Sequence, residues 1–343
     1  MYARACYRKE RNGSETVLVT GATGYVAAHV IKQLQEAGYR VRGTVRSLKN
    51  EAKVKPIREL CPDAAHPIEL VEADLLDADS WPKAVEGCTY VIHTASPFPS
   101  ENPKHEDELI KPAVEGTLNV LRAAKDARTI KRVVLTSSTV AVVENASPDF
   151  DREYSEADFP DPSRITMQPY PKSKTLAERV AWDFVKEGEL ELSVVNPGFV
   201  VGPPTHAGTG TSNDILKGVM LGRIDIRPVC VPCVDVRDVA RAHVAAMTTK
   251  EAAGHRHCIF TEALFYAEMA QILEEEFGEQ GYNVSKWVEP PNVKKPHFDT
   301  TRMRNVLKID PTPIRQSFVE MAYRLIELGH LPKTDKFRGP KKN

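Results

Sequence analysis

The sequence predicts an α/β protein: a doubly wound parallel sheet with a smaller, interleaved C-terminal domain. Three observations lead there. Short apolar runs rich in β-branched residues alternate with helical stretches through the first half of the chain. A glycine-containing turn, Gly21-Ala22-Thr23-Gly24, separates the first run from the first helical stretch. Small and hydroxylated residues collect where the runs end. Alternation of this kind builds βαβ units, and their right-handed crossovers leave the carboxyl ends of the strands as the ligand edge.

The strand candidates are residues 16–20, 39–45, 68–73, 90–94, 132–137 and 192–196. Helices are expected over 26–37, 80–85, 114–127 and 172–186. Gly38, Gly87 and Gly188 follow three of them, where a left-handed cap belongs. From Pro197 the pattern breaks, and Pro203, Pro204, Gly208 and Gly210 describe a long loop over the ligand edge. Residues 234–247 resume as strand and helix, 257–261 add a strand, and helices follow over 267–277 and 314–328, with Pro290-Pro291 between them. The expected organisation is a flexible tail over 1–14, a sheet domain over 15–196 to which 234–261 return, a substrate domain from 197–233 and 262–333, and a basic tail over 334–343.

The bulk properties narrow the function classes. With 343 residues and 41% hydrophobic content, the chain can bury a full-sized core. Lys and Arg (46) nearly balance Asp and Glu (47), so no global field argues for nucleic acid or an anionic membrane. No apolar run reaches the roughly 18 residues that a membrane span requires. Arg4, Arg8, Lys9 and Arg11 lack an accompanying apolar stretch, so the start is read as a tail and not a secretory signal. Six irregularly spaced cysteines fit a reducing compartment, hence a cytoplasmic protein. Cys230 and Cys233 have CxxC spacing, but their surroundings are β-branched and read as strand; no metal site is expected.

Gly21 permits a tight turn after the first strand, Gly24 lets backbone approach a pyrophosphate, and Ala27 lets the helix pack closely on the sheet. The helix N-terminus adds free amides and the positive end of a dipole. Gly21, Thr23, Gly24, Tyr25 and Val26 are therefore candidate cofactor contacts. The spacing is GxxGxxA, looser than GxGxxG, and its position between strand and helix gives it meaning. NAD sites place an acidic residue about 20 positions later to hold the ribose 2′-hydroxyl. None occurs between Glu36 and Glu51; the second strand runs into Arg46, followed by Lys49 and Lys53. A guanidinium there suits a 2′-phosphate, so the expected cofactor is NADPH. Asp74 and Leu75 after the third strand, and Thr94, Ala95 and Ser96 after the fourth, complete the cofactor edge.

The fifth strand runs into Ser137-Ser138-Thr139. Tyr170 precedes Pro171, which belongs in a helix's first turn, and Lys174 follows one turn later on the same face. A tyrosine can protonate a carbonyl oxygen as hydride reaches carbon, a neighbouring lysine can lower its pKa and bind ribose, and Ser138 can fix the carbonyl. Leu176, Val180 and Phe184 are expected to dock this helix on the sheet.

Taken together, Thr20 to Tyr25, Thr136-Ser137-Ser138, Tyr170 to Lys174, Asn196-Pro197-Gly198 and Val234 to Ala240 resemble the extended short-chain dehydrogenase/reductases, most closely the dihydroflavonol 4-reductase-like branch. The resemblance covers roughly residues 15–330. It implies a Rossmann domain, NADPH, and reduction of an aldehyde or ketone. It carries the active serine to Ser138, the tyrosine and lysine to Tyr170 and Lys174, and the 2′-phosphate ligands to Arg46 and Lys53. Pro197 and Val200 fall where the family lines the nicotinamide, and Ser212 is a further contact. Two departures stand out. The flavonoid enzymes carry an Asn five residues after the serine, where this chain has Val143. The cinnamoyl-CoA reductases carry Asn-Trp-Tyr-Cys-Tyr where this chain reads Thr166-Met167-Gln168-Pro169-Tyr170. Neither plant substrate is therefore expected.

The leading expectation is a monomeric or homodimeric carbonyl reductase acting on a small molecule, with a pocket built by Val143, 203–212 and 215–226. Two alternatives stay open. An NAD-linked sugar-nucleotide epimerase or dehydratase of the same superfamily would hold its cofactor tightly. An NADP(H)-sensing regulatory protein would typically lack the Tyr/Lys pair.

Overall fold

The computed structural model describes residues 15–96, 105–143, 152–164, 167–186, 188–208, 210–288 and 294–340. The expected N-terminal tail, Thr166 and the Pro290-Pro291 connection lie outside the described residues. Seven strands form one all-parallel sheet: β1 (Thr16–Val19), β2 (Arg40–Val45), β3 (Glu69–Glu72), β4 (Tyr90–His93), β5 (Arg132–Thr136), β7 (Glu191–Pro197) and β10 (Arg256–Ile259). Their order is β10-β7-β5-β4-β1-β2-β3. The winding direction reverses between β1 and β4, which opens a crevice at their carboxyl ends.

The alternating burial of the strands explains why both faces are covered. Val17 and Val19 point into one core layer with Val134 and Val195, while Leu18 joins Val133, Leu135, Leu192 and Val194 in the other. The first layer is closed by α1 (Tyr25–Glu36), α2 (Glu51–Arg58) and α7 (Val236–Thr248). The second is closed by α3 (Trp81–Val85), α4 (Asp107–Ala127) and α5 (Pro169–Val185). On α1, Val30, Ile31 and Leu34 are fully buried, each worth about 1.5–3 kcal/mol of transfer free energy.

A second core gathers β8 (Phe199–Val201), β9 (Cys230–Asp235), β11 (Glu262–Phe265), α6 (Thr211–Met220), α8 (Tyr266–Phe277) and α10 (Ile314–Glu327). Its three strands run in the order β11-β9-β8. Chain return to the large sheet thus starts with α7 at Val236, since Val234 and Asp235 still belong to β9. Cys233 is buried on β9 and Cys230 half-buried, and burial raises both thiols, that of Cys230 to about 11. A two-stranded ladder of β6 (Glu153–Tyr154) and β12 (His297–Phe298), with α9 (Thr301–Asn305), completes the fold.

Several sequence expectations need correction. Helix α2 was not anticipated, because Pro56 inside it reads as a breaker. Helix α4 starts well before the expected position 114, carrying Pro112 within it. Gly38 and Gly87 take the left-handed cap conformation at φ 87° and 70°. Gly188, expected to close α5, does not, since α5 ends on Lys186 in the right-handed conformation; α4, for which no capping glycine was expected, ends on Arg128 at φ 55°. The stripe of Leu176, Val180 and Phe184 is only half-buried, and α5 docks through Ser173, Lys174, Ala177, Glu178 and Ala181. Small and hydrogen-bonded residues let α5 lie close to its neighbours, which the longer apolar side chains would prevent.

Candidate functional site

The turn after β1 is fixed by two threonines. The Gly21 amide donates to Thr44 Oγ1 at 3.0 Å, and the Ala22 amide to the Thr44 carbonyl at 2.8 Å. Thr20 Oγ1 lies 2.8 Å from His93 Nδ1 and accepts from the Ala95 amide at 3.0 Å, while Thr94 Oγ1 donates to the Thr20 carbonyl at 2.5 Å. The ends of β1 and β4 are thereby locked side by side, with Thr94, Ala95 and Ser96 along the crevice. Gly21 sits at φ 65°, and a Cβ there would stand 3.1 Å from that of Ala95. Only glycine suits that backbone and that approach.

Helix α1 opens at Gly24 with no side-chain cap and no acidic residue in its first turn. The amides of Tyr25, Val26 and Ala27 are offered outward, as an anion site requires. The Tyr25 hydroxyl donates to the Gly202 carbonyl at 2.5 Å, and His29 Nε2 meets the Pro203 carbonyl at 3.0 Å. The Tyr25 side chain thus ties α1 to the chain leaving β8, and what the residue can offer a ligand is its backbone amide. Gly210, just before α6, lies against Tyr25, which brings Ser212 to the same rim. Pro197 and Val200 lie at the end of β7 and on β8.

Arg46 follows β2 as an exposed guanidinium with no hydrogen-bond partner among the described residues, and Lys53 is exposed on α2. Between them, Glu72 at the end of β3 accepts from the Leu48 amide at 2.8 Å and fixes the turn. Asp74 uses its carboxylate on the Leu76 amide at 2.9 Å, while Leu75 packs against Gly116 of α4. An uncapped helix end, a glycine cradle and a free guanidinium fit a phosphorylated dinucleotide.

The other half of the site lies across β4. Ser138 stands just beyond β5, and its Oγ accepts from the Val140 amide at 3.3 Å. Its side chain is also hydrogen-bonded to that of Tyr170, in the first turn of α5. Lys174, one turn on, is buried and donates to the Thr136 carbonyl at 3.4 Å. The three expected residues are thus brought together by β5 and α5. Burial pushes the Tyr170 phenol up to about 12, opposed by the Ser138 hydrogen bond. Ser138 is thus one group that favours the ionised phenol, and Lys174 stands one turn behind it. Burial pulls the Lys174 ammonium down to about 8, against the pull of Glu178. His93 is held neutral, near 3, by burial and by Lys174.

Sequence reasoning missed Thr44, His93, Glu178 and Arg256, and quoted Thr20 and Asn196 within motifs without giving either a role. The spacing of Lys174 and Glu178, one helical turn apart, was the readable signal for Glu178. Val143, expected to line the pocket, is buried with Val142, Tyr154, Phe260 and Phe298. Among the described residues, no helix is long and apolar enough to cross a membrane, and no cluster of metal-ligating side chains occurs.

A profile of the NAD dependent epimerase/dehydratase family matches residues 17–260. Cinnamoyl-CoA reductase 2 of Medicago truncatula is 37% identical over 324 residues, 93% of this chain and 94% of that protein. The bifunctional dihydroflavonol 4-reductase/flavanone 4-reductase of Malus domestica is 33% identical over 305 residues, 85% of each. Among solved structures, yeast methylglyoxal/isovaleraldehyde reductase complexed with NADPH is similar with a TM-score of 0.81 at 26% identity, covering 92% of this chain and 99% of that one. The chain belongs to the NAD dependent epimerase/dehydratase family, the extended short-chain dehydrogenase/reductases, and the relatives it matches over most of their length are reductases.

Proposed function

We propose that this family member is an NADPH-dependent carbonyl reductase that converts a small aldehyde or ketone to the alcohol. The observation that carries the reading is the hydrogen-bonded Ser138–Tyr170 pair with Lys174 buried one turn behind it, across β4 from the uncapped helix α1. The cofactor of the NADPH-complexed yeast relative supports the choice of dinucleotide. So does Arg46, free to meet a 2′-phosphate where an NAD site would have a carboxylate. Gly21, Thr23, Gly24, Tyr25 and Val26 would hold the pyrophosphate through backbone, and Arg46 with Lys53 the 2′-phosphate. Asp74 and Leu75 would border the adenine, Thr94, Ala95 and Ser96 the crevice floor, and Pro197, Val200 and Ser212 the nicotinamide end. Bound there, NADPH supplies the hydride that reduces the carbonyl carbon.

The residues of this chain handle the oxygen and its proton. Ser138 donates to the carbonyl oxygen and fixes its angle against Tyr170. A phenol held near 12 remains protonated at neutral pH, and it gives its proton readily to a developing alkoxide, a far stronger base. Lys174, still largely cationic at neutral pH, stabilises the phenolate left behind and would bind ribose hydroxyls. Oxidation of NADPH over aldehydes, α-ketoesters, diketones, dihydroflavonols and ketosteroids tests the reading. Turnover of at least one carbonyl class is expected. A protein that retains nicotinamide through purification and interconverts sugar nucleotides instead would overturn it.

A further inference from the structure

We propose that Glu178, Asn196 and Arg256 form a buried positioning bracket that fixes Ser138 and Lys174 from behind; it rests on the reading of Ser138, Tyr170 and Lys174 as the reacting set. Glu178 is fully buried one turn beyond Lys174 on α5, and both line the same small cavity. Its carboxylate accepts from Arg256 Nε at 2.5 Å and Nη2 at 3.3 Å, from Asn196 Nδ2 at 2.8 Å and from Trp182 Nε1 at 3.2 Å. The Asn196 amide also donates to the Ser138 carbonyl at 3.2 Å. Arg256 donates to the carbonyls of Ala141, Glu156 and Asp158 at 2.7, 2.9 and 2.5 Å, and lies 3.7 Å from the Phe159 ring centroid. Strands β7 and β10 and helix α5 thus grip the segment that begins with Ser138 at two of its carbonyls.

A buried ion pair adds little stability over apolar packing of equal volume. What it adds here is a fixed geometry for Ser138 and a fixed negative charge near Lys174. The titratable groups around Lys174 are Tyr170 and Glu178 on α5 and His93 on β4, with Arg256 of β10 beyond Glu178. His93 is neutral at working pH, and Glu178 is the group that opposes the effect of burial on Lys174.

Glu178→Gln keeps the shape and removes the charge. The alkaline limb of kcat/KM for carbonyl reduction should move down by roughly one pH unit. A carboxylate that only supports the fold would leave that limb in place, and an unmoved limb in the folded variant overturns the proposal. Asn196→Ala leaves the Glu178–Arg256 pair intact and decides the matter where Glu178→Gln does not fold. Its kcat should fall by up to roughly 100-fold, as small misplacements do, with an unchanged NADPH dissociation constant; wild-type kcat overturns the bracket. Tyr170→Phe in the same assay separates the two readings. If it retains turnover, the assignment of the reacting set fails; if it is inactive while both bracket variants behave as wild type, the bracket alone fails.

Discussion

In the dinucleotide half the groups presented to a ligand are backbone amides at the start of α1 and the exposed Arg46 guanidinium after β2. In the reacting half Ser138, Tyr170 and Lys174 are backed by side chains buried almost completely: Glu178, Asn196 and Arg256. In the first region the tying contacts run through backbone groups, as where the Gly21 amide meets Thr44 Oγ1, 23 positions away. The second joins Glu178 to Arg256 across 78 positions. Backbone donors bind a polyanion and tolerate many side chains around them, whereas proton transfer needs particular side chains at fixed positions. The dinucleotide half should therefore respond to substitution in affinity, and the reacting half in rate.

Four variants or conditions test that division, from the largest effect down. Tyr170→Phe should lower kcat by roughly 10²–10⁴, the usual contribution of a positioned acid, while NADPH binding, read by fluorescence titration, persists. Arg46→Ala should lower the ratio of NADPH to NADH efficiency about tenfold or more, since a charge-assisted hydrogen bond contributes about 1.5–3 kcal/mol; an unchanged ratio would remove Arg46 from the 2′-phosphate site. Raising the pH should weaken the reacting half first. Lys174 loses its charge as pH rises through about 8, so kcat/KM should fall about tenfold per unit above that point. Stability moves the opposite way. The folded-state value lies below the usual 10.5, so the unfolded chain binds more protons between about 8 and 10.5, and stability should rise with pH across that window. Gly21→Ala should show the smallest effect, about 1–2 kcal/mol of stability for a left-handed residue with a side chain, read from denaturant unfolding.

The same division explains what the sequence could convey. The strands of the large sheet were legible to within two residues because Val17, Leu18 and Val19 alternate between two apolar layers, leaving a continuous apolar run; β8, inside the expected loop, and the short β6, β11 and β12 were not anticipated. The glycine turn was legible because Gly21 must adopt a conformation that other residues avoid. Helix α2 and the first turns of α4 were hidden by Pro56 and Pro112, which local rules treat as breaks but packing tolerates. The docking face of α5 was misread because Lys174 and Glu178 look like solvent-facing residues until Asn196 and Arg256 arrive from distant strands. The origin of the Tyr170 environment was likewise hidden, since it depends on burial and on Ser138.

The central claim is that binding and proton transfer reside in separable halves of one crevice. Its most direct test measures kcat and the NADPH dissociation constant for wild type, Tyr170→Phe and Arg46→Ala with one reducible carbonyl. The account predicts that Tyr170→Phe loses kcat at an unchanged dissociation constant, and that Arg46→Ala weakens NADPH binding at an unchanged kcat. Wild-type turnover by Tyr170→Phe, or an Arg46→Ala enzyme that binds NADPH as tightly as wild type, would contradict it.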